Sequence, residues 1–93
     1  MKLRYTRRAA AELEEILAYI DEHSPVGARH VQARIKAITD LLLQHPKAGQ
    51  VTSNYRLRRM VTSPYPYLVF YEVTQDYIVI HGVRHAARRP FSE

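Results

Sequence analysis

Ninety-three residues, 46% hydrophobic and 25% charged, suffice for one compact domain spanning 1–93 and are too few for two cores; the apolar positions are patterned, which excludes a disordered chain. The absence of cysteine excludes a disulfide framework and thiolate metal sites, and no apolar run is long enough for a signal peptide or a membrane span, so a cytoplasmic protein is expected. The net charge of +5 is uneven: residues 1–46 carry seven basic and six acidic side chains, residues 47–93 seven and three. Arg supplies 11 of the 14 cations, and its planar fork suits carboxylates and phosphates, so a polyanionic partner is implied for the second half, either nucleic acid or an acidic protein segment.

Leu3 to Tyr5 reads as a short strand, and Thr6 as a helix N-cap whose hydroxyl accepts from an early unpaired N–H. Ala9, Leu13, Ile16, Leu17 and Ile20 then recur at three- and four-residue steps, predicting an amphipathic helix. Its carboxylates Glu12, Glu14, Glu15 and Asp21 are assigned to the solvated face. Ser24-Pro25 starts a second helix, because proline at the first helical position gives up only an N–H that was already unpaired. Ala28, Val31, Ile35, Ile38 and Leu42 form its stripe until His45-Pro46 ends it. A link this short predicts an antiparallel helical hairpin.

From Pro46 the period changes. Tyr55–Val61, Tyr67–Val73 and Tyr77–Val83 are rich in β-branched and aromatic residues and read as three strands, with a loose link at 62–66 and a tight one at Gln75-Asp76. The expected fold is α+β: a short N-terminal strand and a two-helix hairpin packed on an antiparallel meander, in the order β-α-α-β-β-β. Alternation alone leaves open which sheet face is covered. Leu68, Phe70, Ile78 and Ile80 compete with Val69, Tyr71, Val79 and Val83 for the core.

The chemistry-bearing residues cluster late. A regular strand from Tyr55 puts Arg56 and Arg58 on one face and Arg59 on the other with Tyr55 and Leu57. Arg84, His85, Arg88 and Arg89 follow the last strand, and alternation puts His81, Val83 and His85 together unless Gly82 bulges the strand. Arginines beside a histidine can cut RNA without a metal, supplying a base, an acid and cations for the pentacovalent intermediate. The same group can also dock an acidic peptide or present a solvated face. His23, His30 and His45 have no metal-ligand spacing, and three glycines make no phosphate loop, so neither metal nor cofactor is expected.

The segments Pro25-Val26-Gly27-Ala28, Tyr55-Arg56-Leu57-Arg58, Val69-Phe70-Tyr71, Ile78-Val79-Ile80 and His85-Ala86-Ala87-Arg88-Arg89-Pro90, in this order and spacing, resemble the RelE/ParE toxins over nearly the whole chain. The resemblance implies the toxin half of a type II toxin–antitoxin pair, inhibiting bacterial growth in the cytoplasm without cofactor or metal. It further implies a hetero-oligomer with a cognate acidic, ParD-like antitoxin. The H-x-x-R-x-P ending is similar to the gyrase-poisoning branch, which makes Arg84, His85, Arg88 and Arg89 the expected target contacts and DNA gyrase the expected target. In the mRNA-cleaving branch, which acts on the ribosome, the corresponding set would be Arg56, Arg58, Arg84 and His85; Leu68 stands where that branch is expected to carry a further arginine. Arg59 and Tyr71, on strands that join charge to apolar surface, are the expected antitoxin contacts.

Overall fold

In the computed structural model, residues 1–87 are described. The Thr6 hydroxyl accepts from the Ala9 N–H at 3.0 Å, and that cap separates β1 (Lys2–Tyr5) from α1 (Arg7–His23). One residue, Ser24, then ends α1 and caps α2 (Pro25–Gln44), its hydroxyl accepting from the Gly27 N–H at 2.9 Å with Pro25 at the helix start. With so short a link the two helices pack against each other, as the sequence predicts.

Among the described residues the sheet has five strands. β2 (Gln50–Val51), β3 (Arg58–Val61), β4 (Tyr67–Val73) and β5 (Tyr77–His85) pair antiparallel in succession, and β1 joins the far side of β5 in parallel, giving the order β1-β5-β4-β3-β2. The α+β class and element order expected from sequence hold, with the two-residue β2 as one strand more than the sequence predicts. The sheet is mixed rather than a pure meander, because β1, which the two helices separate from the other strands, adds to the sheet beside β5 and runs parallel to it.

The strand expected from Tyr55 begins only at Arg58. Thr52 and Asn54 intervene: the Thr52 hydroxyl donates toward the Asn54 and Leu57 carbonyls, and the Asn54 side chain accepts from the Arg56 N–H at 3.0 Å. These local bonds hold residues 52–57 in a turn, in competition with the ladder. Arg56 therefore lies on the turn and not beside Arg58 on a strand face.

The covered face mixes the two sets that alternation left in competition. Val69 and Tyr71 of β4 join Ile78, Ile80 and Val83 of β5 against Ala9, Val31, Ile35, Ile38 and Leu42 of the helices. The reason is a bulge. The register runs Phe70↔Gly82 and then Tyr71↔Ile80, so His81 is the extra residue on β5 and the strand changes parity there. Val83 and His85 consequently share the helix side with Ile80, while His81 pairs its Nε2 with Glu72 Oε1 at 2.9 Å. Each fully buried aliphatic side chain of this core stabilises the fold by about 1.5–3 kcal/mol relative to exposure.

Candidate functional site

β1 stops pairing at Tyr5↔Ile80, but β5 runs on to His85. The edge of its last residues faces α1, and a groove of about 850 Å3 opens there, lined by Glu12, Glu15, Ile16, Tyr19, Tyr67, Val83, Arg84, His85 and Ala87. Two of the sequence-predicted target contacts, Arg84 and His85, stand in it together. The other two, Arg88 and Arg89, lie outside the described residues.

His85 is set by two neighbours. Its ring meets Tyr67 edge to face at 5.5 Å between centroids, and its Nδ1 accepts from the Ala87 N–H at 3.1 Å. In the neutral ring the proton then sits on Nε2. Arg84 turns toward α1, with Nη2 3.4 Å from Glu12 Oε2. Glu12 is a residue that the sequence reading misassigned. Its side chain is 23% exposed, and besides Arg84 it meets Arg8 Nε at 3.4 Å and accepts from the Val83 N–H at 3.1 Å. The signal was present: Glu12 lies three residues after Ala9 and four before Ile16, on the buried stripe itself.

The other predicted cations are elsewhere. Arg58 is on the helix side of β3 and gives its Nη1 to the carbonyls of Gly49 at 2.8 Å and Lys47 at 3.3 Å. Arg56 lies over the Tyr55 ring at 5.7 Å, in a separate cleft of about 300 Å3 that it shares with Lys47, Tyr55, Arg58 and Glu72. Arg58 is registered to Tyr71 and His85 to Tyr67, on opposite flanks of β4. Those two positions are roughly 13 Å apart at the rise of an extended strand. The four residues Arg56, Arg58, Arg84 and His85 thus form two sites.

Of the expected antitoxin contacts, Arg59 is exposed on β3 and forks onto Gln50 Oε1 at 3.2 and 3.0 Å. Tyr71 is different: at 0% exposure it belongs to the core, with its hydroxyl donating to the Pro46 carbonyl, and offers a partner no surface. Strand parity places it inward, on the same face as Val69. Among the described residues no group of three or more His, Asp or Glu could hold a metal ion, and no helix is long and apolar enough to cross a membrane.

Two helices laid on one face of a mixed sheet, with a cation-bearing groove where the last strand outruns the first, define a small α+β fold shared with a solved structure. That structure, described as the chromosomal ParDE toxin–antitoxin system from P. aeruginosa, aligns with a TM-score of 0.78 and 23% identity, covering 91% of this chain and 95% of the other. Toxin RelE2 of Caulobacter vibrioides is 37% identical over 84 residues, 90% of this chain and 93% of that protein. Residues 3–90 match the family described as the ParE toxin of type II toxin-antitoxin systems, parDE, and the chain belongs to that family.

Proposed function

We propose that this type II toxin arrests bacterial growth in the cytoplasm by poisoning DNA gyrase, using the end of β5 and the residues beyond it, without cofactor or metal. The reading rests on family membership and on the separation of Arg56 and Arg58 from Arg84 and His85 along β4. Metal-free cleavage of RNA needs its base, its acid and its cations within reach of one phosphate. A separation of roughly 13 Å between the two sites along β4 supports a reading that does not depend on that condition. Binding a large target does not require it.

A cognate acidic, ParD-like antitoxin neutralises the toxin in a hetero-oligomer. An apolar groove of about 600 Å3 between β1, α1 and α2, lined by Leu3, Tyr5, Leu13, Leu17 and Ile35 among others, supports docking of an amphipathic segment. Arg59 is exposed and available to acidic side chains of the same partner.

The deciding experiment places two assays side by side. With purified gyrase and DNA, the toxin is expected to accumulate cleavage complexes; on translated mRNA, primer extension is expected to show no new ends. New ends in mRNA with no cleavage complexes would replace this reading with ribosome-dependent nuclease activity.

A further inference from the structure

Beyond Ile80, β5 has lost its neighbour β1. The Thr6 N–H closes that ladder on the Ile80 carbonyl at 3.0 Å, and the next segment of chain is α1. Val83 is buried, so its edge-facing N–H needs an acceptor. Glu12 Oε1 supplies one at 3.1 Å, across 71 residues of sequence. A carboxylate is a costly choice for that task, because a side-chain amide would satisfy the same N–H without desolvating a charge. What the charge adds is on the other oxygen: Oε2 lies 3.4 Å from Arg84 Nη2, and the Arg84 side chain is only 19% exposed.

We infer that Glu12 is a positioning residue for target engagement, fixing Arg84 and the bulged end of β5 so that the groove is presented in one orientation. One carboxylate acts on two consecutive residues of β5, Val83 through its backbone and Arg84 through its side chain, immediately before His85. The bulge at His81 is what turns Val83 and His85 to the helix side, and Glu12 is the helix residue that holds this arrangement. The inference rests on the proposed reading for the identity of the target, but not for the effect on toxicity.

The test uses the full chain under graded induction, with growth arrest scored against the amount of folded toxin. Glu12→Gln keeps an acceptor for the Val83 N–H and removes the charge facing Arg84; Glu12→Ala removes both. Glu12→Gln is expected to raise the dose needed for arrest roughly tenfold, the lower end of what a charge-assisted hydrogen bond carries. Its circular-dichroism melt should stay near wild type, while Glu12→Ala should also speed exchange of the Val83 amide. If Glu12 acts through Arg84, combining Glu12→Gln with Arg84→Gln should be no worse than Arg84→Gln alone. Arrest by Glu12→Gln at the wild-type dose, or additive losses in the double variant, overturns the inference. Cleavage complexes scored in the same strains separate the two questions: a dose shift for Glu12→Gln with no gyrase cleavage by wild type sinks the gyrase reading and leaves the role of Glu12 standing.

Discussion

The Tyr71 hydroxyl and the Gly49 backbone hold each other in place: the Gly49 N–H donates to the hydroxyl at 2.8 Å while the hydroxyl donates to the Pro46 carbonyl at 2.7 Å. One phenol thereby ties the loop after α2 to the centre of the sheet. A Cβ on Gly49 would lie 2.5 Å from both the Tyr71 ring and its oxygen, and 2.9 Å from the Arg59 carbonyl.

Gly49→Ala should therefore destabilise the fold by about 1–3 kcal/mol, as overpacking does. Tyr71→Phe should cost about 1–2 kcal/mol by leaving two backbone groups unpaired. In the Tyr71→Phe background Gly49→Ala should cost less than alone, because the clash with the oxygen is gone. Urea titrations of the four proteins measure all three quantities, and a Gly49→Ala variant as stable as wild type contradicts the packing described.

The same phenol makes stability depend on alkaline pH. Burial raises the Tyr71 pKa above the ordinary 10.0, against smaller opposing effects of the Gly49 hydrogen bond and the Arg58 charge, and burial also raises that of Tyr5. A pKa raised on folding contributes stability that is complete below the unfolded value and is lost as pH rises through the folded one. The melting temperature is thus expected to fall above about pH 10, where the unfolded phenols ionise first. Tyr71→Phe should flatten that fall, and an unchanged slope in this variant would assign the effect to other groups.

Arg56 and Arg58 separate the two functional readings. Arg56→Ala changes an exposed turn and should alter stability by no more than roughly 0.5 kcal/mol. Arg58→Ala removes the bonds to the Gly49 and Lys47 carbonyls and should cost about 1–2 kcal/mol. Both variants should still arrest growth when compared at equal amounts of folded protein. Loss of arrest in both, with intact folding, would point to a nuclease site at that end of β4.

Substituting the arginines beyond Ala87 tests the gyrase reading directly. Arg88→Ala combined with Arg89→Ala is expected to weaken poisoning by removing charge-assisted contacts, with a stability change within roughly 0.5 kcal/mol per site and antitoxin binding retained. Undiminished cleavage complexes at the wild-type dose would move the search for the gyrase contact to the helical hairpin.

For the antitoxin complex, salt should slow association more than it weakens affinity. Exposed cations such as Arg59 steer encounter and are screened within about 8–10 Å at 0.1–0.15 M salt, whereas burial of an apolar groove is not. Surface plasmon resonance across a salt series gives both rates, and an affinity that collapses in step with the association rate excludes the apolar component.

How far the sequence carried this far depended on whether a signal was local. Thr6, Ser24 and Pro25 act within one helical turn, and the helices begin where these residues place them. Tyr55 to Leu57 looks like a strand by composition, yet Thr52 and Asn54 hold it in a turn through side-chain bonds and β3 starts at Arg58. The covered sheet face depended on the bulge at His81, which shifts parity by one residue and is set by pairing with β4. Arg84 and His85 were legible as a cluster, but their separation from Arg56 and Arg58 is a matter of register that no one-dimensional spacing contains. Glu12 was visible on its helix stripe and hidden in its purpose, since Val83 and Arg84 lie 71 and 72 residues away from it.

The parallel pairing of β1 with β5 also bears on how the chain is made. β5 lies between the first strand and the rest of the sheet, yet it is the last strand to be synthesised. While a ribosome is still translating residues 77–85, Lys2–Tyr5 has nothing to pair with and the helices have only part of their platform. Closure then brings together segments about 75 positions apart, an entropic cost that only the finished strand can offset. Nascent chains still lacking that strand cannot present the groove that it lines, so the site takes shape only after residues 77–85 have emerged.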